Sequence, residues 1–184
     1  MITKTWSIQL SNENNVTLDD VKFIFSQAEK RLDDTIKTGE SIASKTTTLL
    51  TLMTGIIVGV SAYLINKWTD FKTFDNKTII AAVSIIYVFF VLVYMIRNVL
   101  PNHYYVAGSL PKDLFIDAFF KDDVDRKKQT TYIYMSEIED YQLRIDKNWI
   151  TNDERWSKYI TSVIALLIMP FALAILYIIL EATR

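Results

Sequence analysis

A chain of 184 residues that is 51% hydrophobic and 22% charged, with a net charge of −1, has the balance of a small membrane protein carrying a substantial aqueous part. That charge gives no footing for duplex nucleic acid as a partner. The absence of cysteine excludes disulfides, thiolate catalysis and cysteine-ligated metals.

Residues 1 to 15 open with alternating Trp6, Ile8 and Leu10, the period of a strand, and then turn polar and Asn-rich. Nothing in residues 1 to 20 joins a basic stretch to an apolar one, so the first apolar run is expected to serve as an uncleaved anchor. Thr17 and Asp20 have capping-box spacing with the weaker acid, which sets a helix start near Leu18. From there a 3-4 spacing runs through Leu18, Val21, Phe25, Ala28, Leu32, Thr35, Gly39, Ile42, Thr46, Leu49 and Met53, predicting one helix over about 18 to 66 with a coiled-coil seam. The seam suits packing against the chain's own neighbours, or a self-associating bundle in which Leu32, Gly39, Thr46 and Leu49 form a gate.

Thr46–Asn66 is the first of three charge-free runs; Thr78–Ile96 and Tyr159–Leu180 are the others, and they hold 21, 19 and 22 residues. A bilayer core about 30 Å thick takes roughly 20 helical residues, so all three are predicted spans. The chain accordingly divides into an aqueous segment over 1–46, a membrane hairpin over 47–100 with spans at 47–66 and 78–98, a second aqueous segment over 101–157, and a third span with a short tail over 158–184.

The second span is rich in β-branched and aromatic residues and reads as lipid-facing. Pro101 ends it, and 101–111 is a turn-rich loop holding the only histidine, His103. Lys112–Lys121 sets Leu114, Phe115, Ala118 and Phe119 against Asp113 and Asp117, predicting a short amphipathic helix, and Asp122–Lys128 reads as a solvated loop. Thr130–Met135 (TTYIYM) reads as a strand that could pair with Trp6–Leu10. Ser136 and Glu139 then form a capping box, and Ile138, Tyr141, Ile145 and Asn148 continue at 3-4 spacing towards the third span. Thr151 with Glu154 is an alternative start, and Pro170 should kink the span. The expected fold is an all-α membrane protein with three transmembrane helices, long cytoplasmic helical extensions and a very small two-strand sheet.

Little here suggests catalysis. His103 has no partners for a triad or a metal site, no phosphate-cradling GxxxxGK[ST] or GxGxxG element occurs, and no charge lies inside the three charge-free runs. No enzyme activity, cofactor or metal is expected. Polar character in the membrane gathers on the first span instead, where Ala43, Thr47, Thr51, Gly55 and Gly59 recur every four residues. Thr47, Thr51, Gly55 and Gly59 could let helices approach closely, or line a narrow aqueous path closed by Leu49, Leu50, Leu52 or Ile56. Lys112, Arg126, Lys127, Lys128, Arg144 and Lys147 are the main basic concentration, either a topology determinant or a surface for an anionic ligand or partner.

Six basic residues precede the first span and ten lie between the second and third, against three in the hairpin turn and one after the third span. The positive-inside rule therefore places the N-terminus in the cytoplasm and the C-terminus outside. The segment AEKRLDDTIKTGESIASKTTTLLTLMTGIIVGVSAYL (Ala28–Leu64) resembles the SLATT-type membrane effectors of bacterial anti-phage systems, in which a charged cytoplasmic helix leads into a two-span hairpin. HYYVAGSLPKDLF (His103–Phe115) is similar to their juxtamembrane loop, and the third span is similar to that of Hailong-type effectors. The likeness extends over about two-thirds of the chain and is one of architecture, with one span more than the SLATT plan. It implies an oligomer, a tetramer here, in the bacterial inner membrane, held closed until a nucleotide or oligonucleotide signal from a partner enzyme changes and a pore opens. The competing expectations are a non-conducting adaptor that recruits a soluble partner, and a membrane-disrupting toxin.

Overall fold

The computed structural model describes residues 7–8, 16–68, 75–100, 104–109, 111–114, 117, 119–120 and 125–183. Among these it shows four helices and no strand: α1 (Leu18–Trp68), α2 (Asn76–Ile96), α3 (Pro111–Leu114) and α4 (Arg126–Ala182). α1, α2 and α4 are each long and apolar enough to cross a membrane.

The capping box at α1 forms as its spacing demands. The Thr17 amide donates to the Asp20 carboxylate at 3.0 Å, and the Asp20 amide donates back to the Thr17 hydroxyl at 3.2 Å. Hydrogen bonds from the Thr17 hydroxyl and amide hold the Asp20 carboxyl below its ordinary pKa. Asp19 and Asp20 in the first turn and Lys67 in the last also oppose the ends of the helix dipole. α2 starts on Asp75, whose carboxylate accepts from the Thr78 amide at 2.9 Å and the Thr78 hydroxyl at 2.6 Å.

The chain forms two compact units, Met1–Glu40 with His103–Asn152, and Ser41–Asn102 with Asp153–Arg184. In the first, the seam of α1 meets a matching stripe on α4. Leu32, Tyr141 and Ile145 form the core with Phe25 and Ala28 packed against them. The Phe25 ring lies 5.1 Å from that of Tyr134, edge-on, and 5.2 Å from that of Tyr141. Contacts move along both helices in the same direction, from Phe25 with Tyr134 to Thr35 with Asn148 and Asn152, so the two segments run parallel.

In the second unit, Met53, Val88 and Met95 form the core, with Leu49, Leu50, Ile56 and Ile57 of α1 and Tyr159, Leu166 and Met169 of α4 packed around it. α2 is tied antiparallel to α4 at three levels. Asn76 Nδ2 donates to Glu181 Oε1 at 3.1 Å, the Tyr87 hydroxyl to the Ala165 carbonyl at 2.9 Å, and Asn98 Nδ2 to the Arg155 carbonyl at 2.9 Å. Arg155 Nη2 returns a bond to the Asn98 carbonyl just beyond the end of α2, and both residues are buried. α2 is exposed on one side only: Ile86, Phe89, Phe90 and Val93 are exposed, while Ala81, Ser84, Val88 and Met95 are buried.

Five expectations are corrected. Thr130–Met135 is helical, inside α4, so the two-strand sheet does not form; of its other strand, Trp6–Leu10, only Ser7 and Ile8 are described. The Thr130 and Thr131 hydroxyls donate to the Arg126 and Lys127 carbonyls at 2.9 Å, and Tyr134 packs on Phe25, so helix packing overrides β-propensity. Ser136 is no cap, because α4 already runs through it, and Glu139 accepts instead from the Ile8 amide at 2.7 Å. Thr151 starts nothing either: it lies within α4 and donates to the Lys147 carbonyl. Of the amphipathic helix over 112–121 only Pro111–Leu114 is helical, with Asp117 and Phe119 in a turn; Phe115, Ile116, Ala118 and Lys121 lie outside the described residues. Arg126–Lys128, read as loop, form the first turn of α4, and α4 continues through Pro170.

Candidate functional site

α1 carries two faces of opposite character in the second unit. One supplies Leu49, Leu50, Met53, Ile56 and Ile57 to the core. The other presents Thr47, Thr51, Gly55 and Gly59, all exposed within the single chain, and a Cβ built on Gly55 or Gly59 meets nothing within 4 Å. The Thr47 hydroxyl donates to the Ala43 carbonyl and that of Thr51 to the Thr47 carbonyl, both at 3.0 Å. Each hydroxyl thereby spends its one proton on its own helix and keeps its lone pairs outward, so the face offers acceptors. Thr48 and Leu52 are exposed beside it.

The residues expected as a gate lie elsewhere. Leu32 and Thr46 are fully buried, Leu49 packs on the Met53 cluster, and Gly39 is buried under Tyr104. Within the single chain, then, Leu32, Gly39 and Thr46 are buried and Leu49 is half-buried.

Gly39 belongs to a buried polar clasp that joins α1, the 104–109 loop and α4. A Cβ on Gly39 would collide with the Tyr104 ring, with Cε1 at 2.8 Å. The Tyr104 hydroxyl donates to Asn152 Oδ1 at 2.8 Å, and Asn152 Nδ2 donates to the Thr35 carbonyl at 2.7 Å. One turn earlier, Asn148 Oδ1 accepts from the Tyr105 amide at 3.0 Å while its Nδ2 reaches the Tyr105 carbonyl at 2.9 Å and the Thr35 hydroxyl at 3.2 Å. Further along the loop, the Gly108 amide donates to the Tyr141 hydroxyl at 2.8 Å. Burial raises the Tyr141 pKa, and the bond from Gly108 opposes that rise. Gly108 has φ +84°, a left-handed conformation that favours glycine. Sequence reading placed Asn148 on the seam but missed the clasp. The available signal was polar residues, Thr35 and Asn148, at seam positions, a pattern that fixes register.

The basic residues separate into two groups. Lys112, Arg126, Lys127 and Lys128 are exposed. Arg144 is committed to the loop, donating to the Val106 carbonyl at 3.1 Å, the Gly108 carbonyl at 2.8 Å and the Ser109 hydroxyl at 2.9 Å. Lys147 sits over the Tyr105 ring at 4.7 Å. His103 lies outside the described residues, and among the described ones no cluster of three His, Cys, Asp or Glu could hold a metal.

No family model, curated protein or solved structure matches the chain.

Proposed function

We propose that this chain is a three-span protein of the bacterial inner membrane, with its N-terminus in the cytoplasm, whose copies assemble as a tetramer around the exposed face of α1 and conduct ions along it. The supporting observation is that Thr47, Thr51, Gly55 and Gly59 are exposed within the single chain, while Met53 on the other side of α1 is buried with Leu49, Leu50, Ile56 and Ile57 packed around it. In lipid, small faces gain by close helix contact, and outward hydroxyl oxygens can replace part of an ion's water shell. Leu52, exposed beside the face, supplies the apolar constriction, since Leu49, Leu50 and Ile56 pack partly buried against the core. The resemblance to SLATT-type and Hailong-type effectors motivates the biological role: anti-phage defence, with opening set by a nucleotide signal from a partner enzyme.

The test is oligomeric state in detergent followed by single-channel recording. A discrete conductance lost on Gly59→Trp is expected; a monomer, or wild-type currents from Gly59→Trp, overturns the reading. A non-conducting adaptor is the second reading, favoured by the exposed Lys112, Arg126, Lys127 and Lys128 together with exposed Phe23 and Ile24 in the first unit. Membrane-associated protein with no conductance but stoichiometric capture of a soluble partner would select it.

A further inference from the structure

The second unit holds an open groove of about 560 Å³ between its three helices, within the roughly 300–1,000 Å³ of small-molecule sites. Its walls are small or apolar, with Gly59 of α1 and Ala174 of α4 among them. Pro170 lies among the lining residues, near the middle of the charge-free run of α4. Tyr63, Lys77 and Tyr177 also line it, each close to a helix end: Lys77 is the second residue of α2, and Tyr63 and Tyr177 each stand five residues before the ends of α1 and α4.

These positions give the groove a depth and a direction. The rise from Tyr177 to Pro170 is about 10 Å of helix, most of the roughly 15 Å half-thickness of a bilayer core. Two phenols and an ammonium therefore stand at headgroup level, and a narrow apolar trough leads from them towards the midplane. Phenols and lysines favour that level for the same reason, an apolar body with a polar tip. Water does not fill an apolar trough open to lipid, and an empty one forfeits dispersion contacts along its walls. Lys77 is the single charge among the described lining residues. Two carboxylates stand near that end, Asp75 capping α2 and Glu181 accepting from Asn76, but neither lines the groove, so Lys77 is the charge a headgroup in it would meet.

We propose that this groove binds one acidic phospholipid, with its phosphate at Lys77 and an acyl chain laid along Gly59 and Ala174 to Pro170. The proposal rests on the reading that the chain spans a membrane, but not on conduction. Because Gly59 also borders the face through which copies are proposed to associate, a lipid held here sits beside that contact.

The test reconstitutes the full chain in phosphatidylglycerol or phosphatidylcholine nanodiscs, releases it into mild detergent and counts retained lipid by native mass spectrometry. One phosphatidylglycerol per chain is expected, kept in preference to phosphatidylcholine. Lys77→Gln should reduce that preference about fivefold, the size expected of one lysine at an anionic headgroup. Ala174→Trp should remove the retained lipid, while Ile175→Trp, a bulky change at an exposed neighbour that does not line the groove, should leave it. Unchanged retention in Ala174→Trp or unchanged preference in Lys77→Gln overturns the proposal. Carbonate extraction of native membranes is run alongside: release of the chain refutes the membrane reading itself, whereas a chain that stays in the pellet without selective lipid refutes the groove assignment alone.

Discussion

Gly39→Ala is the sharpest probe of the clasp, because helix propensity and packing predict opposite signs. Alanine in place of a helical glycine stabilises by about 1 kcal/mol when the new methyl meets nothing. At Gly39 the methyl lands on the Tyr104 ring. Tyr104 must then move, and the bond to Asn152 stretches or breaks. Leaving a buried acceptor unpaired costs about 1–3 kcal/mol, and overpacking costs about 1–3 kcal/mol more. After the propensity gain the net loss is about 1–5 kcal/mol, a fall in Tm of about 2 °C or more. Gly55→Ala, whose methyl meets nothing within 4 Å, should instead hold or raise Tm in the monomer. The assay is thermal unfolding in detergent, followed by far-UV circular dichroism, for both variants and for Gly39→Ala in a Tyr104→Ala background. There the clash is gone and the substitution should become neutral or stabilising. If Gly39→Ala alone raises Tm as much as Gly55→Ala, the reasoning about Tyr104 is refuted.

Three further outcomes are expected. Asn148→Ala removes the partner of both the Tyr105 amide and carbonyl, and should cost about 2–4 kcal/mol in unfolding while exposing the 104–109 loop to protease. Arg144→Lys keeps the charge but not the fork that spans Val106, Gly108 and Ser109, so hydrogen exchange at Gly108 and Ser109 should accelerate with little change elsewhere. The raised pKa of Tyr141 means that the folded chain keeps its phenolic proton after the unfolded chain has lost one near pH 10, its ordinary value; stability from this group is intact below that pH and declines as pH rises above it. Tyr141→Phe should flatten the alkaline part of the stability profile, and an unchanged slope would show that Tyr141 does not contribute to it.

The first long helix was legible because its signals are local, whereas α4 starts at Arg126, ahead of the caps expected at Ser136 or Thr151. The capping box at Thr17 and the proline-free 3-4 run needed no partner to be read, and α1 starts where they indicate. The partner of the seam was not legible, since a stripe of Val21, Leu32 and Thr35 fits a second copy as well as it fits Ile138, Tyr141 and Ile145. Gly39 shows the same limit: the sequence marks a close approach without saying to what, and the answer, Tyr104, lies across a long stretch of chain. Thr130–Met135 misled because β-branched residues favour strands only where a sheet exists to receive them. The exposed face of α1 was recognisable from its four-residue period, whereas the groove beside it required the positions of three helices at once.

The three polar ties between α2 and α4 limit how the second unit can move. Sliding α2 by one turn along α4 would break bonds at Asn76, Tyr87 and Asn98 together. α1 joins the same core through Leu49, Leu50, Met53, Ile56 and Ile57, whose contacts have no preferred direction and tolerate small shear. Within the second unit the hairpin of α1 and α2, adjacent in sequence, is therefore held unequally: directional bonds fix the register of α2 on α4, whereas apolar packing holds α1 there.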